Sequence, residues 1–133
     1  MDYSDLQNKF TRAMQKKYPS LFPDKNDELY AVNRFGIEVF PGWFRIVENM
    51  IDDIADYSSE HGLTDSLKIA QIKTDFCLLR CNMTTHDDHV DEIVAKYKTL
   101  ARQACEYCGE PGEIRLELRW RKVLCDTCNI MKI

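Results

Sequence analysis

The sequence predicts an α+β fold, with a small antiparallel sheet packed by about three helices and a cysteine-rich module at the C-terminus. Apolar residues recur at helical spacing in three segments, whereas other short runs are apolar on alternate residues or throughout, as in strands. From residue 105 onward, paired cysteines replace both patterns. The 133 residues suffice for one domain with a small attached module. We therefore expect an α+β body of residues 1–104 and a module of residues 105–133, packed together as one structural unit.

The first two helices are predicted from capping and apolar periodicity. Residues 4–7 (Ser-Asp-Leu-Gln) resemble a capping box, and prolines 19 and 23 end the helix that follows. The second helix follows Pro41 and Gly42, with an apolar stripe that begins at Trp43. We expect it to end near Gly62, where glycine can adopt a left-handed cap conformation.

Three short runs predict the antiparallel sheet. Residues 30–40 include an alternating apolar stretch, and residues 67–72 and 76–83 form two further apolar runs. Lys73, Thr74 and Asp75 separate the last two runs and predict a hairpin turn. Cys77 and Cys81 lie in the last run and are interpreted as core thiols.

The third helix is predicted to start in the segment Thr85-His86-Asp87-Asp88 and to run directly into Cys105. His86 and His89 are one turn apart, and with nearby carboxylates they could ligate a second metal in a hydrolase. A plainer interpretation is that acidic residues at a helix start interact favourably with the helix dipole. The neighbouring acidic residues are Asp87, Asp88, Asp91 and Glu92.

Four of the six cysteines form two Cys-x-x-Cys pairs, Cys105 with Cys108 and Cys125 with Cys128. This spacing is typical of a zinc site with four thiolate ligands. Four thiolates fill a tetrahedral site, so we expect one structural Zn²⁺ with no position for substrate. Disulfides or unrelated thiols are the alternatives. Because no secretory signal is apparent at the start of the sequence, we expect a cytoplasmic protein with metal-bound cysteines.

Charge suggests where a partner could bind. The formal net charge of −4 argues against sequence-independent coating of nucleic acid, which needs surplus cations. Asp52, Asp53 and Asp56 lie on one predicted helix face, which is either solvated surface or a docking surface for a basic partner. No apolar run is long enough for a membrane span.

The segment between the cysteine pairs is the other candidate contact surface. Its cationic and aromatic residues could contact phosphate and stack on a base, or could contact a protein. Glu113 and Glu117 weaken a phosphate track, which favours protein contact. The candidate contact residues are Arg115, Arg119, Trp120 and Arg121.

Several segments resemble a family of small bacteriophage and prophage proteins with a C-terminal zinc ribbon, for which no activity is established. They are residues 18–22 (Tyr-Pro-Ser-Leu-Phe), 36–44, 71–80 (Gln-Ile-Lys-Thr-Asp-Phe and onward) and both cysteine pairs with Trp120. Cys77 stands where the family has glycine. The resemblance implies a phage or mobile-element origin and a bacterial host cytoplasm. The cysteine tail alone is also similar to the zinc finger of the DksA/TraR group, which binds RNA polymerase.

These observations predict a non-enzymatic phage or mobile-element zinc-ribbon protein. We expect it to act as an adaptor or inhibitor by binding a host bacterial protein, in the defence or transcription machinery. A nucleic-acid-binding zinc ribbon is the alternative, and a metal-dependent hydrolase is the third hypothesis. We expect no membrane association, and the sequence leaves the oligomeric state open.

Overall fold

The computed structural model describes residues 2–131 and confirms the α+β class. The first pair of strands forms an antiparallel hairpin in the body, and the second pair forms a shorter antiparallel hairpin in the cysteine module. Within the described residues, no helix is long and apolar enough to cross a membrane. The helices are α1 (Ser4–Lys17), α2 (Ala31–Phe35), α3 (Phe44–Glu60), α4 (Asp88–Ala101) and α5 (Asp126–Met131), and the strands are β1 (Ile69–Asp75), β2 (Leu78–Met83), β3 (Glu113–Arg115) and β4 (Lys122–Leu124).

Helix α3 supplies the centre of the core. Its apolar stripe is fully buried at Val47, Met50, Ile51 and Ile54, and each such side chain contributes roughly 1.5–3 kcal/mol to folding. Helix α4 packs against α3 and against β2, so the core lies between the helices and one face of the first hairpin. Val123 of β4 belongs to the same core cluster, so the cysteine module is packed on the body.

The prediction of a strand over residues 30–40 is wrong. The segment instead forms the short helix α2, followed by a single bridge in which Glu38 pairs with Lys73 of β1. The backbone N–H of Ile37 donates to Thr11 Oγ1 at 2.8 Å, so α1 takes a hydrogen bond that a strand partner would need. Ile37 and Val39 are nevertheless fully buried. The alternating apolar residues Ile37 and Val39 are therefore buried in the core without belonging to a strand.

The first hairpin turns after residue 75 and not within residues 73–75 as predicted. Thr74 and Asp75 remain in β1, where they pair with Leu79 and Leu78. The turn is made by Phe76 and Cys77, whose φ angles are 50° and 67°. Positive φ at both central residues is the type I′ pattern, in which glycine usually occupies the second position. Cys77 takes that place here, so this turn keeps two side chains in a conformation that L-residues disfavour.

Helix ends follow the local capping chemistry. The expected capping box of α1 is absent, because Asp2 Oδ1 instead accepts from the N–H and hydroxyl of Ser4 at 2.8 and 2.6 Å. The predicted start of α4 is confirmed, since the Asp87 carboxylate accepts from the N–H groups of His89 and Val90. The prediction that α4 runs directly into Cys105 is wrong, because the helix ends at Ala101 and residues 102–104 separate it from the first cysteine.

Candidate metal centre

The structure brings the four predicted cysteine ligands together. Their Sγ atoms all lie within 4.8 Å of one another, and those of Cys108 and Cys125 are 3.6 Å apart. A tetrahedral ion with metal–sulfur bonds of about 2.3 Å needs sulfurs roughly 3.8 Å apart. Cys105 and Cys128 are buried, whereas Cys108 is exposed at the rim. These four side chains could hold one metal ion.

Backbone hydrogen bonds orient each cysteine pair. At the first pair, the Gly109 N–H donates to the Cys105 carbonyl at 2.9 Å, and the φ of +83° at position 109 is one that glycine adopts readily. At the second pair, the Cys128 N–H points at Cys125 Sγ at 3.3 Å as α5 begins. This short helix, which presents Cys128 to the cluster, was not predicted from the sequence.

The cluster favours a cation. Burial acts to raise the pKa of the Cys105 thiol, but hydrogen bonds from backbone N–H groups outweigh it and lower that pKa to about 7. Burial raises the pKa of Cys128, and the neighbouring cysteines raise it further. Four thiolates this close therefore require a positive ion to be deprotonated together, which couples metal binding to proton release.

Glu106, inside the first Cys-x-x-Cys pair, joins the cysteine module, called the metal module below, to the body. Its side chain is fully buried. The carboxylate accepts from the Val123 N–H at 2.7 Å and from Thr74 Oγ1 at 3.1 Å, and its backbone carbonyl accepts from the Gly42 N–H at 2.9 Å. Burial raises the pKa of this carboxyl group, and the hydrogen bond from Val123 opposes that shift. A single acidic side chain thus bridges β1 and β4.

Two further contacts make the junction tight. The Trp43 indole Nε1 donates to the Ala104 carbonyl at 2.9 Å. A Cβ atom at Gly42 would lie 2.1 Å from the Cys105 carbonyl oxygen, so the two backbones approach more closely than any side chain would allow. The ligand loop therefore rests directly on the turn that precedes α3. The sequence places Gly42 only before the second predicted helix, and no local pattern indicates this contact.

The predicted contact residues between the cysteine pairs fall into two groups. Arg115 is only 11% exposed and donates to the Leu124 carbonyl and to the carboxylates of Glu113 and Asp126. Its guanidinium thus holds the module together. By contrast, Arg119, Trp120 and Arg121 lie on the loop of residues 116–121, and all three are exposed.

Phe76 lies beside Trp120, a contact that the sequence analysis did not anticipate. Their ring centroids are 6.3 Å apart at an interplanar angle of 28°. Phe76 is 65% exposed and Trp120 is 64% exposed. The pair therefore forms an aromatic surface between the turn of the first hairpin and the loop of the metal module.

The acidic residues of α3 are close together, and two of the three have partners within the chain. The carboxylates of Asp52, Asp53 and Asp56 lie within 4.8 Å of one another. Asp52 accepts from the Tyr18 hydroxyl at 2.9 Å, and Asp53 accepts from the Tyr97 hydroxyl. Burial and the neighbouring Asp53 raise the pKa of Tyr97 to about 12, so its hydroxyl remains a donor at neutral pH.

The two histidines of the predicted hydrolase cluster have different surroundings. His86 lies within 4.8 Å of Asp88 and Asp91, and all three are exposed. The His89 ring instead stacks on Tyr57 with centroids 4.3 Å apart. The group of converging side chains therefore includes His86 but not His89.

Comparisons with protein-family models, with curated protein sequences and with solved structures give no match to this chain. The chemistry of the described residues therefore carries the functional conclusion.

Proposed function

We propose that this chain is a non-enzymatic, zinc-stabilised protein that acts as an adaptor or inhibitor by binding a host bacterial protein. The observation that carries the proposal is the exposed pair of Phe76 and Trp120, flanked by Arg119 and Arg121. We call these four residues with Leu116, which is 67% exposed, the aromatic patch. Tryptophan and arginine are the residues most enriched in the energetic centres of protein interfaces, with phenylalanine also enriched there.

Zinc is the metal that best suits the cysteine cluster. Soft thiolate ligands in a closed four-sulfur set favour zinc over the hard cations that prefer oxygen. Such an ion has no open position for water, so its role is to stabilise the module, by on the order of 10 kcal/mol. The zinc thereby holds the loop of residues 116–121 in place.

The surroundings of the histidine cluster support binding over catalysis. The side chains of His86, Asp88 and Asp91 are 72%, 95% and 66% exposed. Catalytic acids and bases act most effectively where water is excluded and their pKa values are tuned by burial. These residues serve more simply as the solvated start of α4.

A bacterial host protein is the proposed partner class. The resemblance to small phage and prophage proteins supports a partner in the host cytoplasm, within the defence or transcription machinery. The acidic group of α3, Asp52, Asp53 and Asp56, provides an additional contact for a partner with a basic face.

Capture from a nuclease-treated bacterial lysate tests the proposal. The immobilised full chain should retain one protein in stoichiometric amount, and Trp120→Ala should weaken retention by about tenfold or more. Leu29→Ala is the matched control, because Leu29 is 85% exposed and lies outside the aromatic patch. No retained protein, or equal retention by Trp120→Ala, would contradict the proposal.

A second candidate is binding to single-stranded nucleic acid. Arg121 and Lys122 line the same groove as Phe76 and Trp120, and exposed aromatic rings with nearby cations are the usual platform for unpaired bases. Titration with fluorescein-labelled oligo(dT) distinguishes the two. Tight, salt-sensitive binding that is lost in Arg119→Ala and Arg121→Ala would favour this candidate.

A further inference from the structure

We infer that the groove between Phe76 and Trp120 seats an aromatic side chain from an acidic segment of the partner protein. This inference rests on the proposed function and specifies the chemistry of the partner. The groove has a volume of about 280 Å³ and lies between the turn of the first hairpin and the loop of the metal module. Small-molecule sites usually measure roughly 300–1,000 Å³. The size therefore suits one large side chain.

The separation of the rings leaves their faces available. Centroids 6.3 Å apart are near the far end of the range of about 4.5–7 Å over which aromatic pairs interact. Each ring is about two-thirds exposed, so the contact between them covers little of either face. Because the two rings are already near stacking distance, an incoming ring packs across the exposed sides of both, not between them, and replaces water on apolar surface.

The strained turn supports a binding role for Phe76. Phe76 and Cys77 both have positive φ, a conformation that residues with a side chain disfavour. In return, the turn projects a phenylalanine ring into solvent beside Trp120, whereas Cys77 stays buried below. Strain of this kind is commonly kept where it positions a functional group.

The buried Glu106 side chain fixes the positions of the two segments that carry the rings. Thr74, two residues before Phe76, and Val123, three residues after Trp120, both donate to the Glu106 carboxylate. The hairpin turn and the metal-module loop therefore approach each other across one fixed side chain. A preorganised pair of rings loses less conformational entropy on binding than two mobile side chains would.

Charge around the groove favours an acidic segment. Arg121 and Lys122 line the groove, and the carboxylate of Asp75, which also lines it, forms an ion pair with Arg80. Arg119 adds another exposed cation on the loop, against the single acidic residue Glu117. The local charge is thus positive on a chain whose formal net charge is −4. Opposite charge on the partner would speed encounter and fix orientation.

An acidic protein segment fits these features better than nucleic acid does. A phosphate backbone requires a track of cations, and this loop offers only Arg119 and Arg121, with the acidic Glu117 two residues before them. Leu116, which is exposed on the same loop, offers apolar contact that a protein uses more fully than a phosphate chain. Nucleic acid is therefore an outcome that the experiment must exclude.

Selection from a random twelve-residue peptide library on the immobilised, zinc-loaded full chain tests the inference. We expect enrichment of one Phe, Tyr or Trp flanked by Asp and Glu. A synthetic peptide of that type with Tyr as its anchor is then titrated by the change in tryptophan emission, which reports Trp120 because the emission of the fully buried Trp43 should stay constant. Binding should weaken by about tenfold or more in Phe76→Ala and when Ala replaces the anchor Tyr. Phe76→Leu, which keeps an apolar side chain without a ring, should weaken it less.

A control variant outside the groove and the contrary outcomes complete the test. Arg12→Ala, outside the groove, should bind the peptide like the wild type, and zinc content should be unchanged in every variant. Enriched peptides without an aromatic residue, peptides with basic flanks, or full binding by Phe76→Ala would overturn the inference. Displacement of the peptide by oligo(dT) at equal concentration would overturn it in favour of nucleic acid. If no peptide is selected while a host protein is still captured through Trp120, this inference fails and the proposed function stands.

Discussion

The cysteine cluster and the histidine–aspartate group at the start of α4 differ in how their ligand atoms are held. Both place at least three potential ligands within 4.8 Å of one another. The cysteines are aimed by backbone hydrogen bonds at two turns, and two of the four are buried. His86, Asp88 and Asp91 meet only through exposed side chains. Proximity alone therefore does not define a site, whereas convergence fixed by the backbone does.

Loss of one cysteine ligand should have the largest effect on metal content and stability. It tests the difference between the two groups most directly. We expect Cys105→Ser to abolish zinc binding and unfold at least the metal module, because metal binding provides on the order of 10 kcal/mol. Elemental analysis and two-dimensional NMR of the variant measure both. Asp91→Ala is the matched change in the exposed group and should leave zinc content at the wild-type level. A loss of metal in Asp91→Ala would reverse our assignment.

The close backbone contact at Gly42 should give the next largest effect. Gly42→Ala would place a Cβ atom 2.1 Å from the Cys105 carbonyl oxygen, so we expect a loss of more than about 3 kcal/mol in the free energy of unfolding. Gly62→Ala has open space around its Cβ but a φ of +67°, and should lose only about 1–2 kcal/mol. Urea unfolding of the zinc-loaded proteins measures both, and equal losses would contradict the contact.

Glu106 offers a finer test of the junction between module and body. Glu106→Ala leaves the Val123 N–H without its carboxylate partner, and an unsatisfied buried donor costs about 1–3 kcal/mol. Glu106→Gln should retain most of the stability, because its amide can accept from Val123 and donate to Thr74 Oγ1. Hydrogen exchange at Val123 in the two variants checks the assignment. Equal protection in both would show that the bridge does not stabilise the junction.

The cap of α4, where the Asp87 carboxylate also accepts from the Tyr57 hydroxyl of α3 at 2.9 Å, should give the smallest effect on stability. Asp87→Ala should lower the melting temperature by less than Glu106→Ala does, and Asp87→Asn should preserve most of the cap. The hydrogen bond from the Val90 N–H lowers the pKa of Asp87. The stabilisation is thus present above the ordinary carboxyl range and is lost as pH falls through the lowered pKa. At low pH the melting temperatures of the wild type and Asp87→Ala should therefore become equal. Melting curves at several pH values measure this, and a difference that persists at low pH would contradict the assignment.

Local signals were predictable from the sequence, whereas contacts between distant segments were not. The spacing of Cys105, Cys108, Cys125 and Cys128 encodes a shared metal site, and Asp87 carries its own capping signal. The role of Glu106 depends on partners 32 and 17 residues away, which no local pattern reveals.

Turn positions were a second limit of the sequence analysis. Phe76 and Cys77 lack the asparagine–glycine pattern of a type I′ turn, so the turn was assigned to the polar residues before them. Pairing of Asp75 with Leu78 decides the register instead. Arg119, Trp120 and Arg121 were predicted as contact residues, but the position of Phe76 beside Trp120 depends on this turn and could not be predicted.

X-ray absorption at the zinc edge, on protein purified without chelator, tests the central claim most directly. The claim is that a closed zinc site holds the loop of residues 116–121 on the body and performs no chemistry itself. We predict one zinc per chain with four sulfur neighbours at about 2.3 Å. Absence of zinc, or a coordination shell that includes water oxygen, would contradict it.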